Sequence, residues 1–168
     1  MPTPKASIDI ALDVPGGICS ITSQPLDVQE IVQSVGDDAA GATAVFIGST
    51  TRNSFEGRTV TRLEYQAYSK LAIKTMASII QATRQSLTRS EHQPESQSSL
   101  IRCAVHHRIG VVPVGEPSIV IAISSPHRKE AFVACERILE EVKQKAQIWK
   151  REYYEGMDDS EAEWKANT

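Results

Sequence analysis

The sequence predicts a single α+β domain in which a mixed, mostly antiparallel sheet is combined with about three helices. Short runs of β-branched and apolar residues recur along the chain and favour strands, whereas longer segments carry apolar residues at helical spacing. Several connections are too short for the regular crossovers of a doubly wound sheet. With 168 residues, 40% of them hydrophobic, the chain can bury its own core, so we expect one domain over residues 1–168.

Six strands are predicted from runs of β-branched, aromatic and alternating apolar residues. They lie at residues 7–14, 18–21, 42–49, 59–68, 100–107 and 118–124. The turn sequence Pro15-Gly16-Gly17 separates the first two strands, which should therefore form a hairpin. The segment 110–117 is predicted to be a turn-rich connection.

Three helices are predicted from apolar residues that recur at helical spacing. A short helix covers residues 25–35, and the clearest helix begins at Ser69, a good N-cap residue. The third follows Pro126, with Ser125 as its N-cap. Its side chains expected to face the core are Phe132, Cys135, Ile138, Leu139, Val142 and Ala146.

Residues 90–99, with the sequence SEHQPESQSS, separate the second helix from the next strand. This segment is polar, contains a proline and is almost free of apolar residues, so it cannot contribute to a core. We expect a surface loop within the one domain.

The overall charge excludes some classes of partner. A net charge of −3 and a pI near 5.8 argue against the broad cationic surface that nucleic acids or membranes require. The N-terminus has no apolar signal region, and the three cysteines have unrelated spacings, so we expect a cytoplasmic protein in a reducing compartment. Neither standard glycine-rich phosphate loop occurs, which argues against a nucleotide-dependent enzyme.

Two groups of residues are candidate anion ligands. His127 and Arg128 follow a proline at a predicted helix start, where free N–H groups also attract anions. A solvent-exposed run of charge is the alternative, and it is the commoner case. Arg52 lies in the loop after a buried strand and is either a second phosphate ligand or an ordinary exposed arginine.

A third group of cations lies at the end of the third helix. If that helix continues, Lys143 and Lys150 share one face about 10 Å apart. A desolvated lysine beside another cation has a lowered pKa and can transfer protons, although lysines at a helix C-terminus are also common without any such role. His106 and His107 are adjacent on a strand and point to opposite faces, so we expect no metal site.

Four segments, in the same order, resemble the catalytic large subunit of molybdopterin synthase over residues 8–164. They are FIGSTTRNSFEGR, LEYQAYSKLA, VHHRIGVVPVGEPSIVIAISSPHRKEAF and LEEVKQKAQIWKREYYE. The resemblance implies that family's fold and a sulfurtransferase. In that family, a small ubiquitin-like subunit carries sulfur on a C-terminal Gly-Gly thiocarboxylate and delivers it to cyclic pyranopterin monophosphate, which becomes the dithiolene of molybdopterin. The family assembles as a heterotetramer with two large subunits paired at the centre.

The resemblance also implies site residues, and it implies no cofactor. Lys143 would be catalytic, with Lys150 assisting, and the family's W-K-[KR]-E stretch corresponds to residues 149–152. The residues implied to bind substrate are Arg52, His127, Arg128, Lys143, Lys150, Arg151 and Glu152. Gln147 stands where family members commonly have a proline that would end the helix, so the one-face geometry of the two lysines depends on helix continuation. Two alternatives remain: a non-catalytic adaptor for a ubiquitin-like tail, and a phosphate-ester-binding enzyme without a partner.

Overall fold

The computed structural model describes residues 4–54, 56–87 and 99–168, and these form nine strands and three α-helices. In chain order they are β1 (Ile10–Val14), β2 (Gly17–Thr22), α1 (Val28–Ser34), β3 (Ala42–Ser49), β4 (Val60–Ala67), α2 (Ser69–Ser86), β5 (Arg102–Arg108), β6 (Gly110–Pro113), β7 (Pro117–Ser125), α3 (Arg128–Lys145), β8 (Ile148–Tyr154) and β9 (Trp164–Ala166). The predicted α+β class is confirmed.

The strands are divided between two sheets. The first has the order β1-β2-β5-β7-β3, and the second has the order β6-β4-β8-β9. Strands β2 and β5 are parallel, and the other pairs among the described residues are antiparallel. The predicted hairpin of β1 and β2 is confirmed, because Val14 pairs with Gly17 across a turn in which Gly16 has a φ of +68°.

Helices cover both faces of the first sheet. On one face, Cys103 and Val105 of β5 and Ile121 of β7 belong to the main core beneath α2 and α3. On the other face, Ala104 and Val120 pack with α1. This alternation follows from the two-residue period of a strand, and full burial of an isoleucine such as Ile121 contributes about 1.5–3 kcal/mol.

Helix starts differ in detail from the prediction. The side chain of Asp27 accepts a hydrogen bond from the backbone N–H of Glu30 and caps α1. Ser69 is already helical, and its hydroxyl accepts instead from the backbone N–H of Ile8. The prediction of Ser125 as the N-cap of α3 was wrong, because Ser125 is still paired in β7 and His127 is the N-cap. None of the described helices has both the length and the apolar character needed to cross a membrane.

Three strands were not predicted. The supposed connection 110–117 contains β6, and the chain after α3 folds back as β8, which pairs with β4 and then with β9. The orientation of Phe132 was also predicted wrongly, since its side chain is 66% exposed. The buried stripe of α3 runs through Ala131, Ala134, Cys135, Ile138 and Val142, and Phe132 lies about 100° around the helix from Ala131.

The predicted surface loop at 90–99 lies outside the described residues except for Ser99. That serine is 1% exposed, and its hydroxyl donates to the carbonyl of Leu87. The last turn of α2 and the approach to β5 are therefore tied together at this point.

Candidate active site

A cavity of about 520 Å³ lies where the two sheets meet. Strands β3, β4, β7 and β8 contribute to its wall, together with the loop after β3, one residue near the end of α3 and residues 165–168. The lining therefore comes from segments more than 100 residues apart in the chain, which only the packing of the two sheets brings together.

Lys143 and Lys150 both line this cavity. They do not share a helix face as predicted, because α3 ends at Lys145 and Ala146 adopts extended backbone angles of −71° and 140°. The chain then turns into β8, which carries Lys150 back towards Lys143. The one-face geometry was wrong, and a reversal of the chain brings the two lysines to the same cavity.

The environment of Lys150 favours loss of its proton. Burial lowers the pKa of this ammonium group, and the charges of Lys143 and Lys165 act in the same direction, whereas the carboxylate of Glu152 opposes them. Lys165 also lines the cavity and pairs with Lys150 across β8 and β9, a third cation that the sequence analysis did not assign. Three lysines around one cavity make it attractive to anions.

Glu152 lies two residues after Lys150, so the two-residue period of β8 turns both side chains into the cavity. The hydroxyl of Tyr154, on the same face, donates to Glu152 Oε2 at 2.5 Å. This hydrogen bond to a carboxylate raises the pKa of Tyr154 to about 12, which keeps the phenol protonated. Glu152 is thus held in place beside Lys150.

Arg151 points to the opposite face of β8. Its guanidinium Nη2 lies 2.7 Å from Glu64 Oε1 on β4, and it stacks over the rings of Tyr153 and Trp164 at 5.0 and 4.6 Å from their centroids. Arg151 does not line the cavity of this chain. Its contacts are those of a residue that holds β8 against β4.

The remaining predicted ligands are not among the residues that line the cavity. Arg52 has an exposed side chain in the loop after β3, where its neighbours Thr51 and Asn53 line the cavity. His127 and Arg128 are exposed at the opposite end of α3. Fifteen residues separate Arg128 from Lys143, which corresponds to about 22 Å along the helix. One chain therefore does not bring all the predicted ligands together.

His107 is a cavity residue that the sequence analysis did not assign. It is 1% exposed, and its ring meets Tyr65 edge to face at a centroid distance of 5.0 Å. Burial lowers the pKa of His107 to about 4, so the ring is neutral at neutral pH. Strand alternation gave the one available signal, because it placed His107 on the same face as Cys103 and Val105.

The three cysteines are buried thiols. Burial raises the pKa of Cys19 to about 12 and that of Cys135 to about 11, and it also raises the pKa of Cys103. A protonated, inaccessible thiol is a poor nucleophile, which agrees with the predicted packing role of Cys103 and Cys135. Within the described ranges, no cluster of three or more His, Cys, Asp or Glu side chains could hold a metal ion.

Comparisons with known proteins show similarity over most of the chain. The family model described as MoaE protein matches residues 21–145. The molybdopterin synthase catalytic subunit of Pyricularia oryzae is 45% identical over 152 residues, which cover 90% of this chain and 75% of that relative. The crystal structure of molybdopterin synthase from Staphylococcus aureus matches with a TM-score of 0.73 and 28% identity, over 86% of this chain and 94% of that one.

A second solved structure has the same fold. It is a protein–protein complex of subunits 1 and 2 of the molybdopterin-converting factor from Helicobacter pylori. The match has a TM-score of 0.63 and 20% identity, and it covers 83% of this chain and 86% of that chain.

Proposed function

Since this chain belongs to the MoaE family, that of the molybdopterin synthase catalytic subunits, we propose that it transfers sulfur from a thiocarboxylated small subunit to cyclic pyranopterin monophosphate. Membership of the family makes it an enzyme subunit of molybdenum cofactor biosynthesis. Two deliveries of sulfur to one substrate molecule produce the dithiolene of molybdopterin. In each, water hydrolyses the bond between the tail carbonyl and the transferred sulfur and leaves a carboxylate on the donor tail.

The observation that carries this proposal is the presence of Lys143 and Lys150 in one cavity with Lys165. The substrate carries a phosphate, and a thiocarboxylate is an anion, so both reactants are attracted to the same cluster of ammonium groups. Lys143 acts at the thiocarboxylate or at the substrate carbon by proton transfer, a role that typically contributes about 10²- to 10⁴-fold to the rate. Lys150 assists as a cation, and the carboxylate of Glu152 favours its charged form.

The sulfur donor is a small ubiquitin-like subunit whose C-terminal Gly-Gly tail enters the cavity. A two-subunit complex of the molybdopterin-converting factor from Helicobacter pylori, which has the same fold as this chain, supports a small-subunit partner. Glu56 and Tyr154 are among the residues that line the cavity. An extended tail that ends in two glycines is narrow enough to enter such a cavity, because glycine has no side chain that would clash with its wall.

His127 and Arg128 act on the substrate in a second copy of the chain. They lie about 22 Å from Lys143 within one chain, so they cannot contact a ligand held by that lysine. A central pair of large subunits in a heterotetramer would allow each copy to present its α3 N-terminus to the cavity of the other. Arg52, from the loop at the cavity wall, acts within its own chain.

The decisive experiment replaces Lys143 with alanine. We expect Lys143→Ala to fold normally and to yield no dithiolene product, measured by mass spectrometry with thiocarboxylated partner and cyclic pyranopterin monophosphate. Lys145→Ala is the matched control, since Lys145 is exposed on the same helix and its ion pair among the described residues is with Glu141 Oε1 at 3.6 Å. Near-normal turnover by Lys143→Ala would show that Lys143 is not the catalytic proton-transfer group.

A non-catalytic adaptor is the second candidate, and the same assay separates it from the enzyme. An adaptor would bind the partner's tail without forming product in the wild-type protein. The clustering of three lysines argues against it, because a groove for a peptide tail does not require so many cations. The three buried, unpaired cysteines favour a reducing compartment, in keeping with a cytoplasmic site of action.

A further inference from the structure

The tautomer of His107 is fixed by its two hydrogen bonds. Nδ1 lies 2.8 Å from the carbonyl oxygen of Arg108, which can only accept, so Nδ1 carries the ring proton. In a neutral ring, Nε2 then has a free lone pair, and it lies 3.2 Å from Nδ2 of Asn167, which donates to it. Nε2 is therefore a hydrogen-bond acceptor in the wall of the cavity.

The position of this acceptor is rigidly held. Edge-to-face contact with Tyr65 fixes the ring plane, and the guanidinium of Arg108 is paired with Glu116 Oε2 at 3.0 Å. The backbone N–H of Ile109 donates to the carbonyl of Thr22 at 2.8 Å, which fixes the end of β5. A group held in this way loses little entropy when it binds a ligand.

The cavity presents charged groups of both signs. The ammonium groups of Lys143, Lys150 and Lys165 donate to anions, whereas the carboxylates of Glu56 and Glu152 only accept. A ligand with both anionic groups and ring N–H groups needs acceptors as well as cations, because an unpaired buried N–H costs more than a made hydrogen bond gains. His107 supplies a neutral acceptor at a fixed position.

The group now bound to Nε2 indicates what kind of ligand belongs there. It is the planar carboxamide of Asn167, which follows β9 and lies beyond its last paired residue, Ala166. A pterin ring carries the same arrangement of an N–H beside a carbonyl. An amide N–H therefore suits this acceptor, and a ring N–H of a heterocycle is the same kind of donor.

We propose that Nε2 of His107 accepts a hydrogen bond from a ring N–H of the pterin, in place of the Asn167 carboxamide, and so orients the heterocycle beside Lys143. This inference rests on the proposed function for the identity of the ligand. It assigns His107 as a substrate-binding residue. The lysines then attract the anionic groups of the substrate, and His107 binds the pterin ring through a hydrogen bond.

The test measures the dissociation constant of cyclic pyranopterin monophosphate by anaerobic calorimetry. His107→Phe keeps an aromatic ring on Tyr65 but removes the acceptor, and we expect it to bind about tenfold more weakly. His107→Gln places an amide oxygen near the position of Nε2, and we expect binding within about threefold of wild type. His106→Phe, on the opposite face of the same strand, is the control and should not change binding. Thermal unfolding confirms that each variant is folded.

Asn167→Ala excludes an indirect effect through the segment after β9. We expect it to bind the substrate at least as tightly as wild type, because it removes the competing donor. A tenfold loss in Asn167→Ala that matches His107→Phe would overturn the inference, since His107 would then act by holding Asn167. Unchanged binding by His107→Phe would also overturn it while leaving the sulfurtransferase proposal intact. A wild-type protein that neither binds the substrate nor forms product would overturn both.

Discussion

The two ends of α3 carry similar charges in different surroundings. At its start, His127 and Arg128 are exposed and lie outside the cavity of their own chain. Near its end, Lys143 is also exposed, but it lines a cavity that it shares with Lys150, whose pKa is lowered by burial and by neighbouring cations. Cations that are equally prominent in a sequence therefore differ in whether the fold places them in a cavity beside a partly buried lysine, and burial is what changes the chemistry of that lysine.

The largest expected effect comes from mixing two inactive variants. Arg128→Ala and Lys143→Ala should each lose most activity alone, but together they should recover about a quarter of wild-type turnover. Half of the randomly reassembled pairs contain one copy of each variant. In such a pair, one of the two cavities combines the intact Lys143 of one copy with the intact Arg128 of the other. The measurement is product formation after joint unfolding and refolding of the two variants.

Each variant refolded separately provides the control and should stay inactive. If the mixture also stays inactive, Arg128 is required within its own chain. In that case the two ends of α3 do not form a common site from two different chains.

The second prediction concerns how the activity depends on pH through the charge of Lys150. Lys150 assists as a cation, so activity should fall as pH rises through its lowered pKa. The carboxylate of Glu152 raises that pKa, and Glu152→Gln should therefore move the alkaline limb of kcat/KM to lower pH. Glu155→Gln, an exposed carboxylate just beyond β8, should leave the profile unchanged. An alkaline limb that does not move in Glu152→Gln would show that Lys150 does not control it.

The smallest effect is expected on the outer face of β8. Arg151 and Glu64 are partly exposed partners, with side-chain exposures of 26% and 23%, so Arg151→Ala should lower the free energy of unfolding by about 1 kcal/mol. Turnover per folded molecule should stay within about threefold of wild type, because Arg151 faces away from the cavity. Urea unfolding measures the change in the free energy of unfolding. In the control variant Lys145→Ala, that change should be below about 0.5 kcal/mol. If Arg151→Ala instead lost much of its substrate affinity with no change in stability, Arg151 would be a substrate-binding residue.

The predicted parts of the fold are those with strong local patterns. The compact run of β-branched and aromatic residues at 42–49 predicted β3 with its correct bounds, and the apolar stripe after Ser69 predicted α2. Strand β8 was missed because its sequence, IWKREYY, has three consecutive charged residues and no alternation of apolar and polar ones, and it forms a strand by pairing with β4. Its burial depends on a partner about 85 residues earlier in the chain.

The candidate site likewise has features that the sequence predicted and features that only the tertiary structure shows. The spacing of Lys143 and Lys150 predicted them as candidate site residues, the family resemblance added Glu152, and strand alternation set His106 and His107 on opposite faces. Only the tertiary structure decided that α3 ends before Lys150, that Arg151 turns away, and that His107 is a buried acceptor in the cavity wall. The physical reason is range. Backbone preferences and periodicity act over a few residues, whereas desolvation, pKa and the direction of a lone pair are set by neighbours that fold in from distant parts of the chain.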